Sequence, residues 1–322
     1  MSWFLFALIC LLGWGCADLF YKMGSDENDR YSHLRIAVWV GLVMGVCAVA
    51  MMLIPFDEEL KSPMSLGALI DNAVRYSPAS LCYIISMVIG YAGLRYMEVS
   101  IVSPVQNASG GLSAVFMTVY FLIVGRLENI AEIFDPLTSI GTVLIVAGVI
   151  ALAVVEQRLS REERLQNPQE KKYRFGALAL LFPILYCLFD TLGTSADGII
   201  LDEEVGLGLG EIDVLILYGL TFLLAGVVAW IYLWIREGKP YNPFARSERP
   251  KALAACCEEF GQVFYVFAMS RNPVVAAPIV ASYCIVSVLL GHLFLKEKLK
   301  PAQYACILAV IAGIVIIGFT GE

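Results

Sequence analysis

The stretch Ala7-Leu8-Ile9-Cys10-Leu11-Leu12-Gly13-Trp14-Gly15-Cys16-Ala17-Asp18 has a counterpart in Ala179-Leu180-Leu181-Phe182-Pro183-Ile184-Leu185-Tyr186-Cys187-Leu188-Phe189-Asp190. Each is an apolar run closed by an aspartate, and the alignment sets Trp14 on Tyr186 and Asp18 on Asp190. Further along, Pro104 falls on Pro278 and Tyr91 on Tyr265, with the offset changed by two residues. An ionised carboxylate inside a helix of bilayer length costs roughly 2.5–3.5 kcal/mol on insertion scales. A chain that carries this cost at matched places in two halves is expected to use the groups.

Working outward, the composition fixes the class. Of 322 residues, 59% are hydrophobic and 16% charged, with mean hydropathy +0.76. The apolar residues come in runs near the roughly 20 residues needed to cross the hydrocarbon. These runs are 2–23, 34–54, 77–97, 99–124, 135–156, 174–195, 211–235, 251–270, 272–295 and 301–320. An all-α integral membrane protein of ten spans is therefore predicted, with no room for a soluble domain. The first run lacks a basic n-region and contains Asp18 and Lys22, so it is expected to be a mature span, not a secretory signal.

The net charge of −7 speaks against a nucleic-acid partner. Acidic residues cluster in loops such as Asp57-Glu58-Glu59 and Asp202-Glu203-Glu204, as solvated loop ends do. All nine cysteines fall inside predicted spans, as small packing residues. No metal ligand set and no cofactor motif is visible, and without a Walker A sequence the chain does not hydrolyse ATP.

If ten spans alternate, the loops after spans 1, 3, 5, 7 and 9 hold eighteen of the 22 lysines and arginines. The other side has only Lys61, Arg75, Arg126 and Arg271. Basic loops stay in the cytoplasm, so both termini are expected to be extracytoplasmic, in the cell membrane. The charged stretch 157–173 separates a first unit, 1–156, from a second, 174–322. Five spans on each side make the second unit enter with opposite orientation, the inverted-repeat plan whose sites lie at the midplane. The segment from Asp57 to Tyr76 is expected to include a short amphipathic piece (Leu66, Leu69, Ile70, Val74) at the outer surface.

Several polar residues inside the spans are candidates for binding substrate or proton. Asp18 has Lys22 at i+4, so either the two pair or Lys22 reaches for the membrane boundary. Asp190 has no basic neighbour at helical spacing; it must face protein or water. In span 8, Glu258, Gln262 and Tyr265 follow at i, i+4, i+7 and form a polar stripe. Glu259 adjoins it, and two carboxylates so close seldom ionise together, which suits proton uptake and release. Trp14, Tyr186, Tyr91 and Tyr265 make two repeat-related aromatic pairs, able to enclose an ammonium group or simply to pack the bundle.

Span 4 carries Pro104 followed by Asn107; span 9 carries Pro278 followed by Ser282. A proline frees a backbone carbonyl, and helix kinks at matched positions in two halves point to a site. Gly41-x-x-x-Gly45, Gly141, Gly148 and Gly313 read as helix-packing positions, and His292, close to Lys296, as interfacial.

The string Asn272-Pro273-Val274-Val275-Ala276-Ala277-Pro278 leads into Leu290-Gly291-His292-Leu293-Phe294-Leu295-Lys296-Glu297-Lys298-Leu299-Lys300-Pro301 and then Ala312-Gly313-Ile314-Val315. This resembles the repeat signature of the drug/metabolite transporter superfamily, EamA type. The first half repeats it less cleanly, as Val99-Ser100-Ile101-Val102-Ser103-Pro104, Gly125-Arg126-Leu127-Glu128 and Leu144-Ile145-Val146-Ala147-Gly148-Val149. It departs by an insertion of about nine residues between Ile130 and Ser139. The resemblance implies a bundle with a central cavity lined by spans 1, 3, 4, 6, 8 and 9, working by alternating access. It places Asp18, Asp190, Glu258, Gln262, Tyr265, Asn107 and Ser282 on cavity helices.

The expected function is secondary transport, not catalysis: proton-coupled export of a small amine-bearing or zwitterionic metabolite or drug by a monomer or homodimer. Two other readings stand beside it. One is a lipid carrier, flippase or envelope-synthesis accessory protein. The other is an intramembrane aspartyl protease, whose Gly-x-Gly-Asp pattern has its nearest string here in Gly208-Leu209-Gly210-Glu211.

Overall fold

The computed structural model describes every residue except 1, 27, 58–59, 62–64, 98, 130, 132–134, 167–178, 180, 297–298 and 321–322. The described residues contain no strand and form α1 (Trp3–Gly24), α2 (Ser32–Leu53), α3 (Leu66–Gly93), α4 (Val99–Asn107), α5 (Ser109–Ile123) and α6 (Pro136–Gln166). They continue as α7 (Leu181–Ile200), α8 (Glu211–Glu237), α9 (Arg249–Met269), α10 (Pro273–Ala281), α11 (Cys284–Phe294) and α12 (Pro301–Thr320).

Among the described residues, seven stretches are long and apolar enough to cross a membrane: α1, α2, α3, residues 136–155 of α6, α8, residues 246–269 with α9, and α10 together with α11. The chain is a multi-pass membrane protein. The other predicted spans take different forms. Residues 99–124 are two helices, broken at Ala108; the run 174–195 contributes Leu181–Ile200, whose apolar pattern is interrupted by Asp190 and Asp197. Residues 301–317 of α12 form a shorter apolar stretch.

One expectation needs correction. The amphipathic piece at 66–74 is not separate: a side-chain cap from Ser65 starts α3 at Leu66, and the helix runs 28 residues to Gly93. Helix α6 continues past residue 156 to Gln166. The remainder of the linker, 167–173, lies outside the described residues, as do Glu58, Glu59, Glu297 and Lys298.

The most extensive packing joins the two halves. The close helix pairs are α1 with α9, α3 with α7, α2 with α8, α6 with α12, α5 with α10 and α4 with α11. Small residues permit the approach. A Cβ on Gly41 of α2 would meet the Phe222 carbonyl oxygen and lie 2.8 Å from the Gly226 Cα of α8. One on Gly110 of α5 would lie 2.7 Å from the Ala277 carbonyl oxygen of α10, where the two broken helices cross. Gly141 faces Gly313 in the α6–α12 pair, as its packing role predicts.

The outside is apolar: Leu12, Leu53, Val115, Val143, Leu224, Ile235 and Leu308 are exposed. The polar side chains point inward instead, with Gln106, Asn107, Asp197, Glu258, Gln262 and Ser287 buried. That distribution suits a hydrocarbon surround, where lipid tails are as favourable as a protein core.

At the end where the loops are basic, a charged clamp ties α2, α8 and α9. Arg35 bonds Asp29 at 2.7 Å, pairs with Glu237, and lies 4.8 Å over the Tyr241 ring. Tyr241 donates to Glu248 Oε2 at 2.6 Å, and Lys251 closes on the same oxygen at 2.8 Å. Burial, then the bond to Glu248, push the Tyr241 hydroxyl well above the usual tyrosine range.

Candidate functional site

At the centre of these pairs lies a cavity whose wall alternates between the halves. Trp14, Asp18 and Tyr21 come from α1, and Tyr83, Met87 and Tyr91 from α3. Tyr186, Asp190 and Thr194 come from α7, and Glu258, Gln262 and Tyr265 from α9. Gln106, Asn107, Ser109, Tyr218 and Tyr283 complete the polar lining. Among the described residues, three carboxylates face this space and no lysine, arginine or histidine is in its wall.

Helix periodicity explains the selection. Residues 14, 18 and 21, residues 83, 87 and 91, and residues 258, 262 and 265 each repeat at i, i+4 and i+7 or i+8, which keeps them on one face. Asp190 and Thr194 are likewise one turn apart. About 50 Å³ of the cavity admits the centre of a water molecule. That is room for a handful of waters at roughly 10–15 Å³ each.

Each aspartate is tethered by hydroxyls from a broken helix. Asp18 Oδ2 accepts Ser103 Oγ of α4 at 2.5 Å and Ser287 Oγ of α11 at 2.7 Å. Asp190 Oδ2 accepts Ser109 Oγ, the first residue of α5, at 2.6 Å. The Trp14 indole donates to the Glu258 carbonyl oxygen at 3.1 Å, and its ring stacks 5.1 Å from Tyr265 and 5.6 Å, edge-on, from Tyr283. An aromatic corner therefore stands beside the carboxylates.

Tyrosine pairs close both ends. Towards the basic loops, the Tyr91 hydroxyl donates to Tyr21 at 3.3 Å, with ring centroids 4.8 Å apart. Below them the Lys22 ammonium donates to the Leu94 and Met97 carbonyls, each at 2.8 Å. The pairing of Asp18 with Lys22 is thus not formed. Towards the other end, the Tyr83 and Tyr265 hydroxyls meet at 2.7 Å, and Tyr83 also donates to Thr194 at 3.2 Å.

Nine of the residues singled out in the sequence reach this wall: Trp14, Asp18, Tyr91, Asn107, Tyr186, Asp190, Glu258, Gln262 and Tyr265. Two do not. Glu259 is one position round the helix from Glu258, and that 100° step turns it onto α2, beside Cys47. The two glutamates therefore do not share a site. Ser282 is fully buried in the turn between α10 and α11, its hydroxyl spent on the Ile279 carbonyl at 2.5 Å. Pro104 and Pro278 lie buried four residues before the matched breaks that begin at 108 and 282, and the Asn107 amide takes up the Ser103 carbonyl at 2.8 Å.

Sequence reasoning missed Tyr21, Tyr83, Thr194, Tyr218 and Tyr283, and the tethers Ser103, Ser109 and Ser287. Helical spacing from Asp18, Tyr91 and Asp190 carried the signal for Tyr21, Tyr83 and Thr194. Nothing local marked Tyr218 or Ser287.

Residues 205–319 match the model of the EamA-like transporter family. That match covers a little over a third of the chain, all of it in the second half. A solved crystal structure, described only as that of a protein, aligns with TM-score 0.62 at 13% identity over 98% of this chain and 96% of its own. At that identity the likeness shows the fold alone. No curated protein matches the chain.

Proposed function

We propose that this protein is an EamA-type, proton-coupled secondary transporter that exports a small amine-bearing metabolite or drug by alternating access. The observation that carries the reading is the convergence of Asp18, Asp190 and Glu258, from both halves, on one cavity without a basic residue in its wall. The aromatic corner of Trp14, Tyr265 and Tyr283 suits an ammonium group, at roughly 0.5–2 kcal/mol for each cation–π contact. A zwitterion fits less well, since the nearest ammonium, Lys22, is held by two carbonyls beyond the Tyr21–Tyr91 pair.

The architecture behind this reading is ten membrane helices in two inverted five-helix repeats, with both termini outside. Three features support it. The helix pairing is unchanged when each predicted span is exchanged with the one five places on, so that α1–α9 maps onto α7–α3. The breaks in spans 4 and 9 coincide in the repeat alignment. Tyrosine pairs close the cavity at both ends, as an occluded intermediate requires. Parting Tyr21 from Tyr91 opens one side, and parting Tyr83 from Tyr265 opens the other.

In this cycle Asp190 and Glu258 alternate between proton and substrate cation. The test is a thermal-shift screen of purified protein against amines, amino acids, nucleosides and sugar phosphates. Amines are expected to stabilise the wild type and to lose that effect in Asp190→Asn; equal stabilisation of both rules Asp190 out as a contact. A liposome proton-flux assay reads coupling separately: a substrate gradient that moves no protons removes the proton role.

A further inference from the structure

Beyond the cavity, at the end closed by Tyr83 and Tyr265, α7 carries a carboxylate that takes no part in the wall. Asp197 is fully buried, with 0% of its surface exposed. Its Oδ1 accepts the hydroxyl of Tyr76, also fully buried, at 2.9 Å. Its Oδ2 is buried and has no hydrogen-bond partner.

The groups around it are neutral or acidic. Tyr76 and Tyr83 face it from α3, Tyr218 from α8 and Tyr265 from α9; Asp190 is the nearest other carboxylate on its own helix. On the side of α5 and α10, the adjoining Gly198 is covered by Met117 and Pro273. None of the described ion pairs includes Asp197. An ion with one oxygen unpartnered in a dry, cation-free setting bears its full desolvation cost, whereas a neutral acid does not.

We infer that Asp197 is a proton-binding site that latches this end of the bundle. The proton sits on Oδ2 while the Tyr76–Asp197 contact holds α3 against α7 and the Tyr83–Tyr265 contact holds α3 against α9. When that end parts, water reaches the carboxyl and takes the proton; closing returns one from the same water. A high proton concentration on that side thus favours the closed state. The latch is one-sided, because the residue matched to Asp197 by the Asp18–Asp190 offset is Ser25, which cannot titrate in this way. This inference rests on the transport reading above and adds to it a pH-sensitive gate outside the substrate cavity.

Two measurements on the full chain reconstituted in liposomes, with no cargo added, test it. Infrared spectroscopy reads the carbonyl stretch of protonated carboxyl groups across a pH series. Hydrogen exchange, corrected for its intrinsic pH dependence, reads the protection of residues 76–83 and 190–200. The wild type is expected to show a protonated-carboxyl band that is lost in Asp197→Asn, with exchange at both segments about tenfold faster at alkaline than at acid pH. Asp197→Asn, a neutral mimic, is expected to lose that pH dependence. Tyr76→Phe keeps the carboxyl and removes one hydroxyl; it should shift the band and speed exchange even if the asparagine variant fails to fold. A band unchanged in Asp197→Asn, pH-dependent exchange that survives that substitution, or a Tyr76→Phe variant identical to wild type overturns the inference. Failure of the transport reading looks different. Ethidium gradients would then drive no proton movement through wild type, while the Asp197 band still titrates.

Discussion

Asp18 and Asp190 hold the same register in their helices yet keep different company. Two serines from two broken helices bind Asp18, whereas one serine and the Tyr186 hydroxyl bind Asp190. Trp14 adds the polarisable face. Replacing it with alanine is expected to weaken amine binding by roughly 0.5–2 kcal/mol, up to about thirtyfold, while Trp14→Phe retains part of the affinity. Titration calorimetry with an amine found in the screen checks this, and equal affinity in all three forms removes the aromatic contact. These partners were legible to different degrees. Trp14, Asp18 and Tyr21 share a face that arithmetic on the sequence reveals. Ser287 reaches Asp18 across 269 positions, a distance no local pattern spans.

At the scale of elements, the broken helices and the charged clamp matter most. The proline pair announces a distortion, but the turns at 108 and 282–283 are complete breaks, and it is these that bring Ser109 to Asp190 and Tyr283 to Trp14. At the other extreme, Tyr241 links the ends of α2, α8 and α9 through Glu248 and Arg35. Because its hydroxyl is raised above the unfolded value of about 10, its contribution is complete below that pH and is lost as pH climbs beyond it. Tyr241→Phe is therefore expected to cost about 1.5 kcal/mol near neutrality. The gap between wild type and variant should narrow above about pH 10. Thermal unfolding in detergent across that range measures both; a gap constant with pH shows that the hydroxyl is not held in its protonated form.

For the whole molecule, the governing fact is that the most extensive helix contacts join residues before 167 to residues after 178. The cavity wall is therefore shared property of the two halves. A cross-link that fixes one end should then stop the cycle without touching the carboxylates. A disulfide in the Tyr83→Cys, Tyr265→Cys pair is expected to abolish amine flux in liposomes, with recovery on reduction. Flux that persists through the oxidised pair means that the 83–265 contact is not a gate.

The sequence by itself determined that this chain crosses a membrane many times, because apolar runs of bilayer length have no other low-energy setting. It also located most of the carboxylates and aromatics of the cavity, since a charge in such a run must face protein or water. Tertiary structure alone decided which neighbour of a pair turns inward, Glu258 and not Glu259, through a 100° step whose reference direction is set by α1 and α2. It also decided which hydroxyls hold the aspartates, and that Asp197 sits among tyrosines, because those contacts join helices that are distant along the chain and meet only once the halves have packed.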